Sequence, residues 1–203
     1  MNLFLPPGWM TFNALSPRSV DSPQGKKEKH ICVYALFDNE EVGSATNQGA
    51  GATFLKNTLT RISRSLGYSY DETQAMIARS FMISADNGHA LHPNHGEYAD
   101  PVNAPRLNEG IVIKFNAQQR YATDGFSAAF FRDLCRRVEV PTQTFTNRSD
   151  IPGGSTLGNI SNTKVSMPTV DIGLPQLAMH SSYETAGTKD TAYLVTACTA
   201  FFE

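Results

Sequence analysis

The chain alternates short runs of β-favouring apolar residues with segments whose apolar residues recur at helical spacing. Residues 30–37 (HICVYALF) form an unalternating apolar run, which is typical of a strand buried on both faces, as in a parallel sheet. Further strands are predicted at 82–85, 110–115, 142–146 and 165–172, and helices at 49–66, 71–81, 126–138 and 188–202. This order of elements predicts an α/β fold with a mostly parallel central sheet flanked by helices.

The first 29 residues differ in character from the rest of the chain. Residues 9–15 are predicted to form a helical turn or two, and residues 16–27 are a loop rich in proline, serine and charge. We therefore expect a leader and loop over 1–29 and the main folded unit over 30–203. Within that unit, Asp71 and Gln74 have the spacing of a capping box, so Asp71 is the predicted cap of the second helix.

The composition disfavours several classes of protein. The chain has 17 Lys and Arg against 19 Asp and Glu, which gives a net charge of -2 and no strongly basic surface for nucleic acid. No apolar run approaches the ~18 residues that suggest a membrane-spanning helix, and the start is broken too early by Pro6 and Pro7 for a secretory signal. Three widely spaced cysteines fit reduced thiols. We expect a cytoplasmic protein that binds neither nucleic acid nor membrane.

Acidic residues follow two of the predicted strands at the points where those strands end. Glu40 and Glu41 come shortly after residues 30–37, Asp86 follows residues 82–85, and His180 lies in a loop after residues 165–172. Ligands of open α/β sheets bind outside the carboxyl ends of the strands, so these side chains are expected to face one crevice. Carboxylates and imidazole suit zinc or a similar divalent ion, and one glutamate of the pair could bind metal while the other acts as a general base.

Each of these features also has an ordinary structural interpretation. Two glutamates after a strand are often a solvated helix N-terminus, and a single aspartate at a strand end is often a turn residue. His89, His92 and His95 are evenly spaced, but Pro93 and Gly96 interrupt any regular helix there.

A loop of small residues, 153–156 (GGST), also has more than one interpretation. It could cradle a phosphate or stabilise an oxyanion, but it lacks the spacing of a P-loop. No G-x-S-x-G string is present, which disfavours a serine nucleophile. The residue pattern alone leaves a hydrolase-like domain and a metal-binding domain as alternatives.

Several strings taken together resemble one family, the aspartyl aminopeptidases, which are dinuclear zinc exopeptidases. The strings are DNEEVGS (38–44), SADNGHALHPN (84–94), VIKFNAQQRYAT (112–123), DIPGGSTLGNI (150–160) and LAMHSSYETAGTKD (177–190). They occur in family order across residues 30–203, so this unit is similar to the C-terminal part of the metallopeptidase catalytic domain. The resemblance implies removal of N-terminal Asp or Glu from peptides, two zinc ions per active site and a homo-oligomer.

The resemblance also implies roles for individual residues. Glu40 resembles the general base that activates the metal-bound water. Glu41 and His180 resemble ligands of one zinc ion, and Asp86 resembles a ligand of the other. The substrate-contacting positions of the family correspond to His89, Lys114 and Tyr121, and the lysine suits an acidic side chain because it supplies a positive charge in the pocket.

The sequence departs from the family pattern at its start. Family members are much longer, and they carry a zinc-binding His, an inserted dimerisation domain and an Asp that bridges both metals before the region matched here. Pro7 stands where that bridging Asp is expected. We therefore expect the chain alone to hold zinc weakly and to expose a sheet edge. The alternative hypothesis is a truncated, catalytically inactive homologue that at most binds full-length subunits.

Overall fold

The computed structural model describes the backbone of residues 10–15, 20–21 and 27–28, and residues 30–203 with their side chains. The helices are α1 (Phe54–Ser65), α2 (Tyr70–Ala78), α3 (Gly125–Arg137), α4 (Leu157–Asn162) and α5 (Thr188–Phe202). The strands are β1 (Met10–Leu15), β2 (Val20–Asp21), β3 (Lys27–Glu28), β4 (Ile31–Ala35), β5 (Phe81–Ala85), β6 (Gly88–His89), β7 (Ile111–Phe115), β8 (Thr142–Thr146), β9 (Thr169–Gly173), β10 (Pro175–Leu177) and β11 (Thr185–Ala186). The Pro7 position lies outside the described residues.

A six-stranded sheet in the order β4-β1-β5-β9-β7-β8 forms the centre of the molecule. Helices flank it, so the α/β class is confirmed. The β5–β9 and β7–β8 pairs are parallel, whereas β4–β1, β1–β5 and β7–β9 are antiparallel. Parallel pairing is therefore less extensive than the sequence pattern predicts, because β1 runs antiparallel to both of its neighbours and β7 runs antiparallel to β9.

The predicted helical turn at residues 9–15 is wrong, because Met10–Leu15 is the strand β1. It lies between β4 and β5 and pairs with both of them. Thr11 is paired with Ala35 of β4, and Met10 is paired with Ala85 of β5. Pairing on both edges satisfies the backbone groups of β1, and this tertiary context outweighs a weak local preference for helix. The backbone of the predicted leader thus contributes a strand to the central sheet.

The strand β4 also differs from its predicted environment. The sequence predicts burial on both faces, but β4 is an edge strand, in which Cys32 and Tyr34 are exposed and Ala35 is buried. Exposure alternates along the strand because only one face packs on the protein. An apolar run of this length fits an edge strand as well as a central one, so the run alone did not distinguish them.

Two apolar cores lie on opposite faces of the sheet. One core joins Ile83, Ile113 and Ile172 of the sheet to Phe131 of α3 and Ala197 of α5. The other core joins Met82 of β5 to side chains of α1, α2 and α4, which include Leu59, Met76 and Leu157. Because side chains alternate along a strand, neighbouring residues such as Met82 and Ile83 belong to different cores. No helix among the described residues has the length and apolar character needed to cross a membrane.

The direction of the strands determines where the site residues lie. β4 and β5 are both antiparallel to β1, so they run the same way, and β9 is parallel to β5. The carboxyl ends of β4, β5 and β9 therefore meet at one edge of the sheet. Beyond β9 the chain forms β10, which pairs with β6 in a small second sheet at this edge.

The cap of helix α2 is Ser69, two residues before the predicted Asp71. The Ser69 hydroxyl accepts a hydrogen bond from the Glu72 backbone N–H at 3.2 Å, and the Glu72 carboxylate accepts one from the Ser69 N–H at 2.9 Å. Asp71 lies in the first turn of the helix. Both serine and aspartate have a suitable partner three residues later, and only the backbone geometry decides between them.

Substitution of the two candidate caps separates their contributions. We expect Ser69→Ala to lower the free energy of unfolding by about 1 kcal/mol, because an amide of the first turn loses its acceptor. Asp71→Ala should cost about 0.5 kcal/mol or less, the value of a charge near a helix N-terminus. Urea unfolding at pH 7 measures both, and a larger loss for Asp71→Ala would contradict the observed cap.

Candidate active site

A cavity of about 540 Å³ lies at the edge of the sheet where β4, β5 and β9 end. Every residue that the sequence singled out for catalysis, metal binding or substrate contact lines this cavity: Glu40, Glu41, Asp86, His89, Lys114, Tyr121 and His180. These side chains come from separate loops and strands, so the fold brings together residues that are as far as 140 positions apart in the sequence.

The two glutamates lie in a short 3-10 turn, Glu40–Val42, that follows β4. Asn39 enters this turn with a φ of 61°, and its side-chain amide donates a hydrogen bond to the Thr46 hydroxyl at 2.9 Å. A 3-10 turn separates neighbouring side chains by about 120°. Glu40 and Glu41 are thus directed to different parts of the cavity by a loop that its own hydrogen bonds hold in place.

The carboxylate of Glu41 contacts the imidazole of His180. Glu41 Oε2 and His180 Nδ1 are 3.0 Å apart. His180 has a φ of 66°, in the left-handed region that is uncommon for histidine, and its backbone N–H donates to Glu184 Oε1 at 2.7 Å. A strained backbone held by a specific hydrogen bond is typical of a functional loop, since the fold must stabilise it.

Asp86 contacts the buried ammonium group of Lys114. Lys114 Nζ lies 3.4 Å from Asp86 Oδ2 and donates to the Asn87 carbonyl oxygen at 2.9 Å. The Lys114 side chain is only 2% exposed, so these two partners compensate for the loss of water around the ammonium. Gly173 packs so closely against the Asp86 backbone that no Cβ would fit there.

The remaining predicted substrate residues lie around the lysine. Tyr121 is buried, and its ring centroid lies 5.7 Å from Lys114 Nζ and 6.3 Å from the ring of Phe145. Burial raises the pKa of Tyr121 to about 12, with further contributions from the nearby carboxylates of Asp171 and Asp86. For His89, desolvation and the positive charge of Lys114 lower the pKa of the imidazole.

Glu40 has the acid–base character that a general base requires. Partial burial, together with the charges of Asp86 and Glu41, raises the pKa of its carboxyl to about 7, although the charges of Lys114 and His180 oppose the shift. A carboxyl group with a pKa near neutrality can both accept and release a proton at that pH.

The geometry supports half of a zinc site at Glu41 and His180. Two ligands of a tetrahedral zinc ion, each about 2.0–2.2 Å from the metal, are about 3.3 Å apart, close to the observed 3.0 Å between Oε2 and Nδ1. Among the described residues, however, no group of three histidine, cysteine or acidic side chains has the spacing for a metal ion. The pair therefore fits as two ligands of a site that further groups must complete.

The other candidate features from the sequence also reach the cavity. His92 and His95 line its mouth with their rings 5.0 Å apart, and His95 pairs with Glu97 at 3.1 Å. The loop residues Gly154 and Thr156 also line the cavity.

Two residues that support this site were not singled out from the sequence. Asn87 supplies the carbonyl oxygen for Lys114, and Asp171 lies fully buried in β9. A lone aspartate inside the apolar segment TVDIG was the signal available for Asp171, because such a residue needs buried hydrogen-bond donors.

Comparison with known proteins identifies the family. The model of the family described as "Aminopeptidase I zinc metalloprotease (M18)" matches residues 9–202. The chain belongs to the M18 family of aminopeptidases. It is 51% identical over 162 residues to a "Probable M18 family aminopeptidase 2" of Clostridium acetobutylicum and 48% identical over 170 residues to the protein of the same name in Clostridium novyi. These matches cover 80% and 84% of this chain but only 37% and 39% of the two relatives.

Solved structures of this family share the fold. The dodecamer of the yeast aminopeptidase mApe1 superposes with a TM-score of 0.77 at 30% identity, covering 90% of this chain and 40% of that one. The M18 aminopeptidase of Thermotoga maritima gives a TM-score of 0.78 at 27% identity, covering 87% and 40%. The M18 chain thus spans about two fifths of the length of these relatives.

The raised pKa of Glu40 predicts a pH-dependent effect of its removal. Between pH 4.5 and about 7 the folded state retains a proton that the unfolded state releases, so stability falls as the pH rises through this range. Glu40→Gln abolishes this loss, and we expect the variant to gain stability relative to the native chain at pH 8 but much less at pH 5. Urea unfolding at both pH values, without added metal, measures the difference.

The Asp86→Asn background provides the control for this effect. Asp86 is the largest charged contribution that raises the pKa of Glu40, so the gain from Glu40→Gln at pH 8 should shrink in that background. An equal gain at pH 5 and pH 8 would contradict the assigned titration.

Proposed function

We propose that this chain carries the catalytic part of a metallo-aminopeptidase that removes Asp or Glu from the N-terminus of peptides through a metal-activated water. The observation that carries this proposal is one cavity that holds a carboxyl group with a pKa near 7, a carboxylate–imidazole pair and a buried ammonium. Membership of a family described as zinc metalloproteases supports the metal chemistry. The specificity for acidic residues rests on Lys114.

In this proposal the acidic residues and His180 divide the metal chemistry among them. Glu41 and His180 would hold one zinc ion and Asp86 the other, which accounts for the two ions of the proposed active site. Bound zinc supplies a Lewis acid and lowers the pKa of its water. Glu40 would accept a proton from that water and pass it to the leaving amine, and a pKa near 7 suits both transfers.

Lys114 is the proposed partner of the acidic side chain. An ammonium group has three N–H donors, and the Asp86 carboxylate and the Asn87 carbonyl oxygen occupy two of them. The third donor remains for a carboxylate of the substrate, in a desolvated environment that strengthens the interaction. His89 and Tyr121 line the same part of the cavity and would contact the rest of the substrate residue.

The assembly and location follow by analogy with the relatives. One structural relative is a dodecamer, so we infer that the complete protein forms a homo-oligomer. We also infer a cytoplasmic location, where peptides with acidic N-termini are available as substrates.

A second function, an inactive homologue that binds full-length subunits, is favoured by a different observation. The described residues contain no group of three metal-ligating side chains. A site with two ligands at one position and one at the other binds zinc weakly, because affinity depends on ligand number and support. In this case the chain would contribute only binding surface to a mixed oligomer.

Binding of the expected product tests the acidic specificity without requiring turnover. We expect the chain with zinc chloride to bind L-aspartate at least about tenfold more tightly than L-asparagine, which has the same shape but no charge. Lys114→Met should remove this preference, whereas Lys56→Met, on the exposed face of α1, should retain it. Isothermal titration calorimetry measures the affinities. A preference that persists in Lys114→Met would refute the assignment.

Metal content and hydrolysis test whether the chain alone is inactive, as the second function requires. We expect the dialysed chain to hold well under two zinc ions and to show no appreciable cleavage of an aspartyl peptide, because the described residues offer no group of three metal ligands. Mass spectrometry of bound metal and a peptide hydrolysis assay provide the readouts. Two tightly held ions with robust turnover would overturn this expectation and exclude the inactive homologue.

A further inference from the structure

Asp171 is a fully buried aspartate in the middle of β9, on the sheet face that carries α4. It is paired in register with Ser84 of β5. On β7, Ile113 is paired with Ile172, so Lys114 lies opposite Asp171. A polar row of Ser84, Asp171 and Lys114 therefore crosses three adjacent strands and leads to the cavity.

The two oxygens of the Asp171 carboxylate bind two different segments of the cavity wall. Oδ2 accepts a hydrogen bond from the backbone N–H of Ala122 at 2.5 Å, next to Tyr121. Oδ1 accepts one from the Thr156 hydroxyl at 2.8 Å, at the residue that precedes helix α4. Both Tyr121 and Thr156 line the cavity, whereas Asp171 itself does not.

A further pair of hydrogen bonds fixes the first segment to the strand. The Thr123 hydroxyl accepts a hydrogen bond from the Asp171 backbone N–H at 2.8 Å and donates to its carbonyl oxygen at 3.4 Å. Tyr121 and Thr123 thus flank Ala122, whose backbone N–H donates to the Asp171 carboxylate. The position of the tyrosine ring, which packs near Lys114 and Phe145, depends on this anchor.

The packing around the carboxylate allows little adjustment. Gly158 in α4 approaches Asp171 Oδ1 so closely that a Cβ would not fit between them. Burial raises the pKa of Asp171, while its hydrogen bonds from Ala122 and Thr156 and the charge of Lys114 oppose the shift. A buried carboxyl group without a direct cationic partner depends on such donors, so the donors and the carboxylate fix each other's positions.

We propose that Asp171 is a positioning residue that fixes the Tyr121 segment and the Thr156 segment of the cavity lining relative to each other, and thereby sets the affinity for a ligand bound against them. The inference rests on the proposed function only in naming an acidic amino acid as that ligand. Its physical content is that one carboxylate connects two segments of the cavity lining that are 34 residues apart in sequence.

A graded pair of substitutions tests the proposal in the full chain of 203 residues. Asp171→Asn keeps the shape and one acceptor oxygen but replaces the carboxylate by a weaker, neutral acceptor. We expect its affinity for L-aspartate, measured with zinc chloride present, to fall about threefold to tenfold. Asp171→Ala removes both acceptors, and its affinity should fall more than tenfold.

Amide hydrogen exchange followed by NMR provides a second, local readout. The Ala122 amide should exchange about threefold to tenfold faster in Asp171→Asn and faster again in Asp171→Ala, because its acceptor is weakened or lost. The control is Asp190→Asn, at another fully buried aspartate, which accepts from the backbone N–H groups of Asn108 and Gly110 and does not line the cavity. It should lower stability without changing the Ala122 exchange or the affinity for L-aspartate.

The outcomes separate this inference from the proposed function. Unchanged affinity in a folded Asp171→Ala variant would overturn the positioning role, even if stability falls. If Asp171→Ala does not fold, unchanged affinity and Ala122 exchange in Asp171→Asn would overturn it. If the native chain does not bind L-aspartate, the proposed function fails. The positioning role is then decided by amide exchange of Ala122 and of residues 154–156 in the Asp171 variants. Faster exchange supports the role, and unchanged exchange refutes it.

Discussion

The burial of the Lys114 ammonium is the constraint on which the rest of the site depends. A charged amine in the interior is costly unless its donors find acceptors, and here these are the Asp86 carboxylate and the Asn87 carbonyl oxygen. The ammonium therefore fixes the chain immediately after β5. The stem of the lysine packs against Gly88 and Gly173, and the absence of side chains at these two positions leaves room for it. A Cβ at Gly88 would meet the lysine stem, whereas a Cβ at Gly173 would collide first with the Asp86 backbone.

The part of the cavity that contains Glu41 and His180 is organised by backbone conformation. Asn39, Ser44 and His180 all have positive φ values, which cost energy for residues other than glycine. Hydrogen bonds from Asn39 to Thr46 and from His180 to Glu184 stabilise these conformations. The carboxylate and the imidazole are therefore already in contact before any metal binds, which reduces the entropy that binding must overcome.

The residues of the site could be predicted from the sequence, whereas the links between them could not. The order DNEE after a strand and SAD after another placed the acidic residues at strand ends, and the alternation of elements indicated that those ends meet. The links between the residues were not predictable. The pairing of Lys114 with Asp86, and of Asp171 with Ala122 and Thr156, joins segments that are 15 to 49 positions apart in the chain.

The sequence by itself determined the α/β class, most helix positions and the residues available for chemistry, because these depend on local periodicity and on the identity of side chains. Only the tertiary structure decided that residues 10–15 form a strand inside the sheet, that β4 lies at an edge and that Ser69 caps α2. In each case the local pattern fits two conformations of similar free energy. The choice depends on hydrogen-bond partners and packing surfaces that are supplied by residues distant in the chain.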